Sequence, residues 1–182
     1  MEFIPSEIPD VVTIKPDVHG DARGFFLETW HAERYEAAGI KAQFVQDNHS
    51  RSQRGILRGL HAQLDPGQGK LVRCVAGEIW DVAVDARRGS PTYGQHVAAT
   101  LSGENFLQLW LPPGFLHGFC VMSDIADVEY KCTAPYRPEG EIAVAWNDPA
   151  LAIPWPISIP TLSDRDRVAG PLSDFENRLL SV

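Results

Sequence analysis

Among the side chains of this sequence that can move a proton, His61, Lys70, His117 and Tyr130 stand out by their setting, with carboxylates nearby. His61 and Lys70 belong to Gly55 to Arg73, G-I-L-R-G-L-H-A-Q-L-D-P-G-Q-G-K-L-V-R. There Arg58 and His61 lie in apolar, strand-like sequence, and Lys70 opens the next strand after a Gly/Pro turn. Strand alternation puts His61 and Gln63 on one face and Arg58 and Leu60 on the other. Bringing Arg58 and His61 to one pocket therefore requires a bulge, which Gly59 permits. His117 sits in L-P-P-G-F-L-H-G-F-C-V, where Phe115, His117, Phe119 and Val121 share a face and set the imidazole in an aromatic lining. Tyr130 shares a face with Val128 and Cys132, and an inward phenol needs a partner for its hydroxyl, water or a substrate. A lone histidine in a strand is more often structural than functional. The company of Arg58 and Lys70 is what raises His61 above that base expectation.

Metal chemistry is the first alternative, because small jelly-roll barrels often hold a metal through two closely spaced histidines, a carboxylate and a later histidine. Here the first pair is incomplete: the sequence reads His61-Ala62-Gln63. His61 and His117 alone are too few for a closed or facial-triad site. No G-x-G-x-x-G, G-x-x-x-x-G-K-[ST] or G-x-S-x-G occurs, which removes the simplest dinucleotide, P-loop and hydrolase readings. What remains is acid/base chemistry without a cofactor.

Charge narrows the ligand. With 16 Lys and Arg against 24 Asp and Glu, the 182-residue chain carries a net charge of −8, which argues against nonspecific nucleic-acid binding. Yet Arg51, Arg54, Arg58, Lys70 and Arg73 fall in one stretch with a single acid, Asp65. A cationic stretch in an acidic protein suits a small anion such as a sugar phosphate. No apolar run approaches the roughly 18 residues of a membrane span. The opening MEFIPSEIPDVV has neither the basic cluster nor the apolar core of a secretory signal. Cys74, Cys120 and Cys132 cannot all pair and show no C-x-x-C spacing, so the expected home is the cytoplasm.

The elements that must position these groups read as strands. Gly and Pro punctuate many short apolar runs, giving about ten strand-like segments. Alternation marks Phe106 to Leu111, Ile125 to Thr133 and Ile142 to Trp146, while Leu71 to Val75 and Glu78 to Val84 flank Ala76-Gly77 as in a tight hairpin. His31 to Ala38 reads as a helix ending at Gly39, and a second short helix is expected over about 174 to 180, capped by Ser173 or Asp174. The body is thus expected to be mainly β, a jelly-roll sandwich or barrel with a few short helices.

Seven ordered blocks are specific enough to carry a resemblance: D-A-R-G-F-F-L-E, F-V-Q-D-N-H-S-R-S, G-I-L-R-G-L-H, G-K-L-V-R-C-V-A-G-E-I-W-D-V-A-V-D, L-W-L-P-P-G-F-L-H-G-F, Y-K-C-T-A-P-Y-R-P-E-G-E and L-S-D-R-D. Over nearly the whole chain they resemble the dTDP-4-dehydrorhamnose 3,5-epimerases, cofactor-independent deoxysugar epimerases. The resemblance implies a cupin-like fold, a single epimerase domain over residues 1–182, no metal or other cofactor, and a homodimer with an exchanged N-terminal strand. It places the base on His61, the proton-donating tyrosine on Tyr130 and the aspartate that orients the base on Asp166. Substrate contacts fall on Arg23, Glu28, Gln46, Asn48, Arg58, Lys70, His117, Glu141 and Arg165. Two positions depart from the family: Ala62 follows the catalytic histidine where an aromatic residue is usual, and Arg165 stands where Lys is usual. Arg165 keeps the cation but changes its geometry.

On this resemblance the substrate is dTDP-4-dehydro-6-deoxy-D-glucose, a 4-keto sugar whose C3 and C5 both adjoin the carbonyl. Loss of either proton gives an enolate with its charge on O4. A neutral imidazole near its ordinary pKa of about 6.5 is a suitable base, and a carboxylate on its other nitrogen fixes the tautomer. Lys70 near O4 would stabilise charge that develops only after deprotonation. Tyr130, with a reference pKa of about 10, would return the proton from the opposite face as an acid. The alternatives are a single-position epimerase of another dTDP-4-keto sugar, a metal-dependent cupin oxygenase, and a non-catalytic sugar-nucleotide binding module.

Overall fold

The computed structural model describes residues 1–179. Its strands, numbered in chain order, build two facing sheets and a hairpin. The six-stranded sheet runs β1 (Glu2–Pro5), β2 (Val12–Lys15), β10 (Gln108–Leu111), β7 (Lys70–Ala76), β12 (Ile125–Cys132), β5 (Gln46–Gln53). The five-stranded sheet runs β13 (Glu141–Ala143), β6 (Leu57–Gln63), β11 (Phe115–Val121), β8 (Glu78–Asp85), β9 (His96–Ser102). The hairpin pairs β3 (Val18–Asp21) with β4 (Gly24–Leu27). All the pairings between these strands are antiparallel, and the architecture is the expected mainly-β, cupin-like sandwich.

Alternation decides what meets between the sheets. Val72 and Cys74 of β7, Leu109 and Leu111 of β10, and Ala126 and Val128 of β12 face Ile79, Ala83, Val97, Leu101, Phe115, Phe119 and Val121 of the opposite sheet. A second cluster covers the other side of the five-stranded sheet, where Leu60, Ala62, Val82, Val84 and Leu116 pack against Val144, Leu151, Leu172 and Leu179 of the C-terminal segment. Covered on both faces, β11 is buried at every residue.

Two readings of local structure are corrected. Ala76-Gly77 is not the turn of a hairpin: β7 joins the six-stranded sheet and β8 the five-stranded one, so the turn crosses from one layer to the other. Gly77 has φ +75°, and a Cβ there would lie 2.1 Å from the Ile125 carbonyl oxygen. A glycine-marked turn between apolar runs looks the same whether the second strand pairs back or crosses over. The C-terminal helix is a 3₁₀ helix over Leu172–Arg178 behind Pro171, so it starts earlier than the expected cap, and residue 180 lies outside the described residues. The early helix, α1 (Ala32–Ala37), has His31 as its N-cap and precedes Gly39 at φ +91°. A further short helix, α2 (Asp164–Arg167), occupies the L-S-D-R-D block. Among the described residues no helix is long and apolar enough to cross a membrane.

Candidate active site

One end of the space between the sheets stays open as a cavity of about 570 Å³. His61, Lys70, His117, Tyr130, Arg58, Glu141, Arg165 and Asp166 all line it. The bulge required for Arg58 is present. His117 pairs with His61 and Phe119 with Arg58, so two steps along β11 match three along β6. The extra residue turns Arg58 to the same face as His61. Gly59 takes φ +122°, and a Cβ on it would come 2.6 Å from the Gly118 Cα. Two glycines thus let the strands close over the bulge.

His61 Nε2 lies 2.6 Å from Asp166 Oδ1. α2 makes this contact possible: Ser163 caps it by accepting the Asp166 N–H at 3.1 Å, and the turn delivers the carboxylate to the sheet. Burial works to raise the Asp166 carboxyl, but the hydrogen bond and charge of His61, with help from Ser163 and the Gly59 backbone, hold it below its ordinary value. An ionised aspartate accepts from Nε2–H and leaves Nδ1 as the basic nitrogen.

A second histidine–aspartate pair stands beside the first. His117 Nε2 lies 2.8 Å from Asp81 Oδ2 on β8. Asp81 is fully buried, and its other oxygen has no hydrogen-bond partner among the described residues. The His117 ring is 6.4 Å from the Tyr130 ring, over which Lys70 Nζ sits at 5.9 Å. Burial pushes the Tyr130 phenol up and the Lys70 ammonium down. Tyr130 therefore keeps its proton at neutral pH, and Lys70 becomes the more willing partner for a developing oxyanion.

At the rim, Glu141 Oε2 accepts from the Tyr136 hydroxyl at 2.8 Å and from Arg165 Nη1. Burial works to raise the Glu141 carboxyl, yet these two hydrogen bonds keep it below its ordinary value. Arg165 Nε is also 3.9 Å from Asp166 Oδ1, so the rim is electrically linked to the His61 pair. Among the described residues Arg58 is held through Nε, which donates to Ser52 Oγ at 3.0 Å, with both terminal nitrogens left for a ligand.

Arg23, Glu28, Gln46 and Asn48 do not line this cavity. Arg23 is on the hairpin turn with its side chain 89% exposed and bound to Asp21, and Glu28 pairs with Arg34 of α1. Gln46 and Asn48 bond each other along β5 at 3.0 Å. Tyr136, which lines the cavity, and Asp81, buried behind the cavity residue His117, are groups that the sequence reading did not assign. Parity along E-I-W-D-V-A-V-D, which sets an aspartate among inward apolar residues, is the signal that exposes Asp81. Among the described residues no group of three or more His, Cys, Asp or Glu side chains is arranged to hold a metal ion.

Chemically, the cavity sets an aspartate-oriented imidazole, a protonated phenol and a cation around one space, the groups of an enzyme that moves protons next to a carbonyl. The chain belongs to the dTDP-4-dehydrorhamnose 3,5-epimerase family, whose sequence profile matches residues 5–174. It is 54% identical over 168 residues to the dTDP-4-dehydrorhamnose 3,5-epimerase of Shigella flexneri, covering 91% of this chain and 93% of that protein. Its fold matches the crystal structure of dTDP-6-deoxy-D-glucose-3,5-epimerase from Legionella pneumophila in complex with dTDP-4-keto-L-rhamnose, with TM-score 0.97 and 50% identity over 100% of this chain and 98% of that one. It also matches a 3'-monoepimerase from Streptomyces bikiniensis in complex with dTDP-quinovose, with TM-score 0.91 and 35% identity over 98% and 92% of the two chains.

Proposed function

We propose that the cavity binds dTDP-4-dehydro-6-deoxy-D-glucose and inverts it at C3 and C5 to dTDP-4-dehydro-L-rhamnose. The observation that carries this is the 2.6 Å His61–Asp166 pair opening onto the same cavity as Tyr130 and Lys70. His61 Nδ1 takes the proton from C3 or C5, and Asp166 supports the imidazolium that forms. Lys70, with His117 beside it, stabilises the negative charge on O4. Tyr130 gives a proton to the opposite face of the enolate and is recharged from solvent. Arg58 holds the diphosphate with its two terminal nitrogens, an arrangement suited to anionic oxygens. Tyr136, 51% exposed at the rim, offers an aromatic face for thymine. Each step is a proton transfer, so the scheme closes without a cofactor.

Arg23 and Glu28 enter this reading through a second copy. The β3–β4 hairpin is solvent-facing, with Phe25 61% and Phe26 71% exposed, which is the surface expected of an N-terminal element that docks on a partner. A homodimer that exchanges this N-terminal region would bring Arg23 and Glu28 to the other copy's cavity. In this reading residues 1–182 form a single epimerase domain working in the cytoplasm.

The test is turnover of the keto sugar in deuterated water, with label located by NMR. Deuterium and inversion at both C3 and C5 support the two-site epimerase. Label and inversion at one carbon only would move the protein to the single-position activity named for the Streptomyces bikiniensis relative. No exchange at either carbon would overturn the proposal.

A further inference from the structure

Gln63 stands two residues beyond His61 on the same face of β6, yet it does not line the cavity. It is 3% exposed, and its amide makes three hydrogen bonds, two of them to the segment that carries Tyr136. Nε2 donates to the Pro135 carbonyl at 3.1 Å and to the Pro66 carbonyl at 3.0 Å, while Oε1 accepts the Arg137 N–H at 2.7 Å. From the other sheet, Gln46 Oε1 accepts the Tyr136 N–H at 2.8 Å. Three successive residues of an irregular segment thus have backbone groups held by two glutamine side chains, one from each sheet. Rim segments of this kind more often rely on water and remain mobile.

Only an amide can do what Gln63 does, because the position needs two donors and an acceptor at once. A glutamate there lacks the donors, and an apolar side chain leaves all three backbone groups without the partner. The tether continues past the backbone. Glu141, which receives the Tyr136 hydroxyl, sits directly opposite Gln63 in the β13–β6 register. The Tyr136 hydroxyl and the backbone on either side of Tyr136 are therefore tied to facing positions of the five-stranded sheet, while its own N–H is held from the six-stranded one.

We infer that Gln63 and Gln46 are positioning residues that hold Tyr136 as a preformed wall of the sugar-nucleotide cavity and act on ligand binding through Tyr136. The inference rests on the reading that the cavity takes a dTDP-sugar. A wall ordered before the ligand arrives spares the complex the entropy of ordering it afterwards, so its loss weakens affinity while leaving the proton-transfer groups in place. Gln63 then has a role at the position where a metal-binding barrel would carry its second histidine.

Three substitutions in the full-length protein test this: Gln63→Met, Gln46→Leu and Tyr136→Ala. Amide hydrogen exchange should rise at Arg137 in the first and at Tyr136 in the second. Calorimetric titration with dTDP should show affinity falling about 5- to 20-fold in each variant, the range for losing an ordered base–aromatic contact. KM for the keto sugar should rise in step while kcat stays within about twofold. Combined with Tyr136→Ala, neither glutamine substitution should weaken binding further, as required of residues that act through one side chain. Additive losses, or a fall in kcat at unchanged KM, would overturn the inference. So would a loosened segment that binds dTDP like wild type. Gln46→Leu removes one backbone contact and the bond to Asn48, a smaller disturbance, so it carries the test if Gln63→Met does not fold. Wild-type protein that binds no dTDP would instead bring down the reading of the cavity, and the role in binding with it.

Discussion

Strand β8 carries two fully buried aspartates four residues apart on the same inward face, and they live in opposite ways. Asp85 is saturated. It accepts from Arg87 through Nε and Nη2, from the Arg87 backbone, and from the hydroxyls of Ser90 and Thr92 at 2.6 Å each. Although burial alone would raise it, these donors hold its carboxyl down at about 2. Among the described residues Asp81 has one side-chain partner, the cavity histidine His117, and an oxygen left unmatched. A buried carboxylate with every lone pair answered is a structural post, whereas one left partly unanswered is tolerated where its partner works on a ligand. The far end of the strand therefore stabilises the frame, and the near end accepts a cost in stability to orient a group.

The comparison breaks most visibly at the cavity end. His61→Ala should lower both solvent-proton exchange and epimerisation by about 10²- to 10⁴-fold, the contribution of a positioned general base, with the melting temperature little changed. Wild-type exchange in that variant would move the base elsewhere. Tyr130→Phe should be next. It keeps base, cation and cavity shape but removes the acid on the opposite face, so deuterium should enter substrate of retained configuration faster than inverted product appears. Inversion at the wild-type rate would return Tyr130 to a purely structural role.

Paired substitutions on β8 sharpen the contrast. Asp81→Asn should leave melting within a few degrees of wild type and lower the rate by roughly tenfold, since an amide can hold the His117 ring but puts no negative charge behind it. Asp85→Asn should do the reverse, costing about 2–3 kcal/mol of stability with kcat unchanged. If both variants lose stability and keep activity, Asp81 is a structural residue and the distinction collapses.

The smallest effect is an acid one. A carboxyl held near 2 in the folded protein and near 3.8 when unfolded contributes stability that is complete above about pH 4 and fades as pH falls toward 2. Melting curves of wild type and Asp85→Asn should therefore converge between pH 4 and pH 2. A gap that stays constant over that range would show that Asp85 acts by packing alone.

How far sequence reaches into this molecule follows the same division between local and distant. Period-two alternation locates β12 almost to the residue and sets Val128, Tyr130 and Cys132 on one face, because parity is a property of adjacent positions. The need for a bulge at Gly59 is legible for the same reason. Whether the turn at Ala76-Gly77 pairs back or crosses layers is not, since that depends on what Ile125 and Ala126 do fifty residues later. The four residues of α2 are too few to show a helical period, although Ser163 followed by Asp166 is a cap signal that could have placed it. Tyr136 lies within a quoted block but shows its relation to Gln46 and Gln63 only when two sheets bring them together. Arg23 and Glu28, assigned by resemblance alone, sit apart from the cavity of their own chain.

The segment that covers the outer side of the five-stranded sheet also carries Asp166, the residue that orients His61. Along the chain that segment follows the strands it covers. Until it docks, β6, β8 and β11 expose Leu60, Ala62, Val82 and Leu116, and His61 lacks its Asp166 partner. One docking event thus closes a hydrophobic surface and completes the site. A chain clipped before α2 would leave part of that hydrophobic surface uncovered and His61 without its carboxylate partner.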